Sequence, residues 1–559
     1  MVALVRWQGT AGSCTQEPGT LSIAQAKGGD MKRTLLLLLL LLGVGVYMTT
    51  PSYAQDLINS ALTAMGGADT LAQVKTLVVK GTVRYWEPEQ SMVAGGEMRH
   101  TADATFEMTG DFTSHAIRVD WVKNFVYPSQ RTFQFSELVT PEAGYVIGID
   151  SNGRNKQNRE TNPPGHAMSG LRFTATQREL RRASPALLLE MRDHPDKVSA
   201  SPAITIGSVS YPALTYQAGP YAFIVMFDSQ THLPARIRTL DYDNVWGDSM
   251  YDLTFADWRK LGGAQIATSQ HYELNGKVVA EIKITDVSAN APLPAGHFEI
   301  PAALQGTAPK PASGNVPYQW VLRRQFIGIY LDSDNPSFDT RATDGLRLVE
   351  VAPGVQHATG GSHNSLIVEL SDALVVFDAP VSDWQSNWTI AAAQAKYPGK
   401  PIKYLVLTHH HMDHVGGLRA YAAAGTTLVV GKGNAEHFRK VLAMPFTRNP
   451  DLTPRDLSKT AVVEVADHYT LPDGKRQVTA YLAENPHANG MLIGYVTDAQ
   501  LGFVTDLWSP GAAPLPDKST PALAAVVNTV KKAGIAPLKF AGGHGATGDY
   551  APLAALPGN

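Results

Sequence analysis

Between residues 75 and 300 apolar residues gather in short strand-like runs, such as Leu77-Val78-Val79-Lys80-Gly81-Thr82-Val83 and Tyr221-Ala222-Phe223-Ile224-Val225-Met226-Phe227, with turn formers between them. Short runs of this kind predict strands of an antiparallel sheet. Asn275-Gly276 lies between two alternating segments, and both residues tolerate the positive φ of a two-residue hairpin turn. A single helix is expected to interrupt the strands over 176–192. Its basic face, Arg178, Arg181 and Arg182, is expected to be solvated, and Leu187, Leu188 and Leu189 form an apolar patch.

From Ala302 to Pro317 the composition shifts to Ala, Pro, Gly and Ser, which bury little side chain, so a linker is expected over 302–340. Beyond it, apolar runs at 366–370, 374–377 and 404–407 alternate with an Ala-rich helical stretch near 388–396. That alternation predicts an α/β domain over 341–559, after a mainly β domain over 55–301. No repeat of solenoid period occurs.

Upstream, Met31-Lys32-Arg33-Thr34 leads into eight leucines, Leu35 to Leu42, and then reaches Ser52-Tyr53-Ala54. A basic start, an apolar middle and small residues at the end make a secretory signal over 31–54, with cleavage expected after Ala54. Residues 1–30 then read as a non-native leader before a true start at Met31. The apolar stretch, about 15 residues, is shorter than the roughly 20 a spanning helix needs, so no stable membrane anchor is expected after cleavage. The expected location is periplasmic or secreted.

Length adds that 559 residues allow two to four domains at about 150 residues each. With 44% hydrophobic and 17% charged residues and a mean hydropathy of -0.12, the chain has enough apolar material to fold. A net charge of -3 supplies no electrostatic footprint for nucleic acid, leaving a small molecule as the expected partner and the oligomeric state open. The one cysteine, Cys14, precedes the expected cleavage point, which removes disulfides and thiolate catalysis from the mature chain.

The chemistry concentrates in Leu405-Val406-Leu407-Thr408-His409-His410-His411-Met412-Asp413-His414-Val415-Gly416-Gly417. An apolar strand runs straight into imidazoles and a carboxylate. His409 and His411, two apart on an extended strand end, can aim at one ion, while Asp413 and His414 fall past the bend and can face a second. Gly416 and Gly417 let the following turn fold tightly against the site. His410, at the intervening position, is expected to point away. Three histidines gathered without a metal would strand polar nitrogens, which is costly.

This stretch resembles the H-x-H-x-D-H signature of the metallo-β-lactamase superfamily, and the rest of that pattern follows in order. The resemblance implies an αββα sandwich for the C-terminal domain. It also implies one metal on His409, His411 and His487 and a second on Asp413, His414 and His544, with Asp506 bridging. Asp378, at the end of Val375-Val376-Phe377, would brace the metal loop. Asp413 and Asp378 are thus the candidate catalytic carboxylates. His363 is either a pocket residue or a surface one, and His357, His437 and His468 are given no role. Residues 75–300, for their part, resemble the half-barrels of periplasmic carriers of the LolA/LolB type. That likeness rests on the helix ending in Met65-Gly66-Gly67, on strands in series, and on Asp228-Ser229-Gln230-Thr231-His232-Leu233-Pro234 and Asp257-Trp258-Arg259. Its inward residues are expected to be plain core or a domain interface.

Two bound dications would bring the pKa of a shared water towards neutrality and so supply hydroxide. Zinc is the favoured metal for this ligand set, and iron or manganese also suit it. The expectation is an exported, metal-dependent hydrolase of an ester, lactone, thioester or related bond. Asp506 stands where thiolate-using β-lactamases place Cys, which makes β-lactam hydrolysis the alternative activity. A carrier of lipid or another apolar ligand is the non-enzyme alternative. Gly543-His544-Gly545-Ala546-Thr547-Gly548 also fits G-x-G-x-x-G, but too few residues follow for a dinucleotide fold.

Overall fold

Along the strand Thr76–Glu87 every second residue is buried, from Leu77 and Val79 through Val83 and Tyr85 to Glu87, as a pleated ribbon with one covered face requires. The computed structural model describes residues 51–150, 165–261, 263–311, 318–326, 346–360, 363–448 and 456–558. The expected leader, the basic and leucine-rich parts of the export signal, and parts of the expected linker lie outside them.

Thr76–Glu87 sits in the middle of a 13-stranded antiparallel sheet. On one side the chain meanders outward from it to His166–Ala167; on the other it is paired with Lys277–Ala289, from which the strands run back to Val198–Ile206 at the far edge. The hairpin turn expected at Asn275-Gly276 is present, with φ of 49° and 82°, and joins Ala264–Leu274 to Lys277–Ala289. The helix Pro51–Ala64 buries Ile58, Ala61 and Leu62 with Leu214, Phe223, Val225 and Ile237 of the sheet. The expected cleavage point after Ala54 falls inside this helix.

Two helices, Gly170–Ala183 and Leu187–Asp193, stand where one was expected. Ser184 precedes Pro185, whose ring disfavours helical geometry in the residue before it, and Ser184 is extended with ψ of 132°. The expectation of a solvated basic face is also corrected. Arg178 and Arg182 are fully buried. Arg178 pairs with Asp241 at 2.8 Å and with Glu179; Arg182 pairs with Glu179 and donates to the Tyr251 carbonyl. The strand Pro234–Asp243 places a carboxylate behind the helix, so the guanidinium groups exchange water for ionic partners.

The C-terminal region is a sandwich of two sheets. The first has seven strands from Arg347–Ala352 to Val462–Val465, antiparallel up to Leu374–Phe377 and parallel afterwards. The second has six strands from His468–Thr470 to Thr547–Asp549. Val368, Phe377 and Val406 of the first meet Ala480, Leu492 and Phe503 of the second in a shared core. Helices cover the outer faces, among them Asp383–Lys396 on the first sheet and Pro521–Ala533 on the second. This is the expected four-layer α/β architecture.

The N-terminal sheet is stitched to that sandwich. Val245, on the turn after Pro234–Asp243, belongs to the core formed with Leu418, Tyr421 and Phe438. The Asn244 amide donates to the Val381 carbonyl, and Arg419 donates to the Val245 carbonyl. The stretch read as linker contains a helix, Tyr318–Phe326, that packs Val321, Leu322 and Phe326 against Val83 and Tyr85. Its Arg323 is fully buried among Glu87, Glu89 and Asp243 and pairs with all three. Among the described residues, no helix is long and apolar enough to cross a membrane.

Removing one partner of a buried ionic cluster leaves the others uncompensated, typically at about 3–5 kcal/mol. Arg323→Met is therefore expected to destabilise the protein by that amount, read as a lowered urea midpoint with an unchanged slope.

Candidate metal centre

The centre is assembled at the C-terminal ends of strands. Asp378 follows Leu374–Phe377, His409 to His414 follow Ile402–Val406, and His487 follows Val478–Ala483. Asp506 follows Leu501–Val504, and His544 follows Lys539–Gly542. Asp378 and Asp506 both turn out of their strands in the left-handed region, at φ of 59° and 55°, a costly backbone state tolerated where it aims a side chain. Gly416 and Gly417 are needed for closeness. A Cβ on Gly416 would lie 2.1 Å from the Val381 carbonyl oxygen, and one on Gly417 would lie 2.0 Å from Ser386 Oγ.

Two groups of four side chains result, each with its ligand-type atoms within 4.8 Å of one another: His409, His411, His487 and Asp506, and His363, Asp413, His414 and His544. The His487 Nε2 lies 3.0 Å from His411 Nδ1. Asp506 reaches into both groups. Its Oδ2 lies 3.0 Å from His409 Nε2, and 3.1 Å from both His414 Nε2 and His487 Nε2, while its Oδ1 lies 2.6 Å from His544 Nε2. All seven residues named as ligands from the sequence are therefore brought together.

Asp378 stands behind them, fully buried. It accepts from the Thr408 N–H at 2.7 Å, from the Thr408 hydroxyl at 2.9 Å and from His414 Nδ1 at 3.0 Å. That last bond fixes the His414 ring so that Nε2 faces the centre. His363, left open in the sequence, is buried with its Nε2 3.0 Å from Asp413 Oδ2. His410 turns out of the centre and donates from Nε2 to the Ser91 carbonyl at 2.8 Å. His357 sits against the Gly542 carbonyl, and His437 is packed against His410 and Trp246. His468 is exposed beside Asp467.

Sequence reasoning missed the contribution of the N-terminal sheet. Gln90 donates to Asp413 Oδ1 at 2.8 Å, and Ser91 offers its carbonyl to His411 Nε2 at 2.9 Å. Arg99 and Tyr127 hold Gln90 from behind. No motif around Gln90 signals this, since its partner is 323 residues away.

The donor set fits divalent cations. Because His411 Nε2 gives its proton to a carbonyl, Nδ1 is left with its lone pair turned inward. His409 Nε2 is buried and, though close to Asp506, is not aligned with any hydrogen-bond partner. Burial pushes the His409 imidazole down to about 3 and His363 to about 4, and with its histidine neighbours holds His411 well below its ordinary range. These rings are neutral donors at neutral pH, the form that binds metal. Burial disfavours ionised Asp413 and Asp506, yet His414 with His363 holds the first, and His414 with His544 the second, well below the usual carboxylate range. Burial also opposes charge on His414, but Asp506, Asp413 and Asp378 raise it well above its ordinary value. The carboxylates thus draw positive charge into a dry pocket, a demand that a dication meets.

Residues 358–545 match the model of the metallo-beta-lactamase superfamily. No curated protein matches the chain in sequence. Solved structures similar to it include the stereoselective inverting sec-alkylsulfatase Pisa1 from Pseudomonas sp., 17% identical over 39% of this chain with a TM-score of 0.29. A metallo-beta-lactamase from Pontibacter korlensis is 20% identical over 37% of this chain and 95% of its own, with a TM-score of 0.29. The flavodiiron protein from Giardia intestinalis is 17% identical over 37% of this chain and 57% of its own, with a TM-score of 0.28. The chain spans 41% of the sulfatase's length. The family match lies wholly outside residues 75–300, so the likeness of that region to the LolA/LolB-type carriers gains no support. Residues 358–545, with their paired histidine and aspartate groups at the strand ends, are a domain of the metallo-beta-lactamase superfamily.

Proposed function

We propose that this protein is an exported hydrolase that uses two divalent cations, zinc first among them, to cleave an ester, lactone, thioester or related bond in a small molecule. The observation that carries the reading is Asp506, whose two oxygens touch histidines of both groups. A carboxylate so placed suits a pair of ions and not one isolated ion. His487 and His544 leave 20% and 26% of their side chains exposed, so the centre opens to solvent on their side, as a catalytic site must and a closed structural site does not.

A bound pair of dications would supply Lewis-acid chemistry, acidifying water and polarising the electrophilic centre of a substrate. The chain's own residues prepare that chemistry. His409 and His411 offer neutral nitrogens, His487 turns its Nε2 toward them, and Asp506 holds the two groups in register. Asp378 keeps His414 in one tautomer through Nδ1, and Thr408 keeps Asp378 in place through two hydrogen bonds. No serine or cysteine nucleophile is required.

A second reading, carriage of an apolar ligand, is favoured by one observation: an apolar cavity in the N-terminal sheet, lined by Val79, Met108, Leu180, Trp121 and Phe106 among others. Co-purification of lipid with a protein that turns over none of the substrates below supports this reading over hydrolysis. Export rests on the residue pattern of 31–54 and is tested by the N-terminus of the mature protein, expected at Gln55 by mass spectrometry.

Chelation is expected to abolish hydrolysis across a panel of lactones, thioesters, nitrocefin and sulfate esters, and to lower the melting temperature, because a ligand that binds only the folded state stabilises it. His409→Ala should reduce kcat/KM by more than about 100-fold, and an unchanged value refutes the mechanism. Asp378→Asn should weaken metal binding by about 10–100-fold with the fold retained, measured by competition with a chromogenic chelator.

A further inference from the structure

The turn Pro88–Gln90 leaves the central strand Thr76–Glu87 of the N-terminal sheet and enters the metal centre. Gln90 is 5% exposed. Its Nε2 donates to Asp413, whose ionised carboxylate can only accept, and its Oε1 accepts from the Tyr127 hydroxyl at 2.6 Å, which pins the amide in that orientation. Asp413 Oδ1 is thereby engaged by the amide, and Oδ2 is the oxygen that remains within the group of His363, His414 and His544. One residue on, the Ser91 carbonyl accepts from His411 Nε2 at 2.9 Å. A carbonyl can only accept, so His411 must carry its proton there and present Nδ1 to His487. Two consecutive residues of the N-terminal sheet thus settle one donor atom in each group.

The segment is held firmly enough to do this. Arg99 donates from Nε to the Gln90 carbonyl at 2.5 Å, and its guanidinium lies 4.5 Å from the centre of the Tyr127 ring. It also reaches the His487 carbonyl at 3.4 Å. The Asn489 N–H donates to the Met92 carbonyl at 2.8 Å, tying the loop that bears His487 to the same segment. Upstream, Glu87 and Glu89 are clamped by the buried Arg323.

We propose that Gln90, with its orientation set by Tyr127, is a positioning residue of the metal centre. It selects the oxygen that Asp413 presents to the second cation, and the N-terminal sheet is therefore part of the centre. The inference rests on the metal-dependent reading above and concerns how tightly, and through which atom, the second ion is held. Losing a hydrogen-bond partner that orients a ligand costs about 10–100-fold in metal affinity.

The test is titration of Zn²⁺ into chelator-stripped full-length protein against a competing chromogenic chelator, for wild type, Gln90→Leu and Tyr127→Phe, with thermal unfolding of each. The expected result is two equivalents bound by wild type. In Gln90→Leu the affinity of one equivalent falls by about 10–100-fold and the other keeps its value. Tyr127→Phe, which removes the hydroxyl that pins Gln90 Oε1, should weaken the same equivalent by a smaller factor at an unchanged melting temperature. Wild-type affinity for both equivalents in both variants overturns the inference and leaves the metal reading standing. A wild type that binds no Zn²⁺ overturns the metal reading as well. Should Gln90→Leu fail to fold, Tyr127→Phe decides alone: selective weakening supports the positioning role, and equal weakening of both equivalents or none refutes it.

Discussion

Two clusters of imidazole and carboxylate, each with its ligand-type atoms within 4.8 Å of one another, crowd nitrogen and oxygen lone pairs into one place. Buried polar atoms without partners are expensive, and His409 Nε2 is one of them. The surrounding structure reads as a response to that constraint. Strands stop where a ligand is needed, Asp378 and Asp506 accept a strained backbone, and two glycines remove the side chains that would keep the loop from closing. Behind the ligands, each committed donor has an acceptor: His414 has Asp378 and His411 has the Ser91 carbonyl, while Asp378 in turn accepts from Thr408.

The support extends beyond the sandwich. Arg323 pairs with Glu87, Glu89 and Asp243 in the interior, and these carboxylates bracket both the turn that reaches the centre and the turn bearing Val245 that packs against the helices of the sandwich. A buried ion cluster of this kind contributes little net stability compared with apolar packing, but it punishes any rearrangement that separates its members. It therefore suits a place where position matters more than strength. The same economy governs Arg178 and Arg182 beneath the sheet, paired with Asp241 and Glu179.

What could be read from the sequence divides by distance along the chain. The 409–414 run compresses four of the seven named ligands into six residues, and its neighbours in the family pattern follow in a fixed order, so the ligand set was accessible from the chain alone. Asn275-Gly276 was equally local, because the turn's φ angles are a property of two residues. The burial of Arg178 was hidden, since the residue that makes it tolerable, Asp241, is 63 positions away on a strand whose face no local pattern fixes. His363 was undecided for the same reason: its meaning comes from Asp413, 50 residues on. The break at Ser184 was available in Pro185, but the apolar leucines beyond it continue a helical pattern and masked it. Gln90 was invisible, because a glutamine after a strand carries no chemistry until a carboxylate arrives opposite it.

The separation of 323 positions from Gln90 to Asp413 also sets an order of assembly during synthesis. The ribosome delivers the bracing turn first and His544 after every other member of the two groups. A nascent polypeptide can build much of its first sheet while the cage that this sheet completes does not yet exist. A chain cut short before His544 lacks one member of the second group, however well its first sheet has formed.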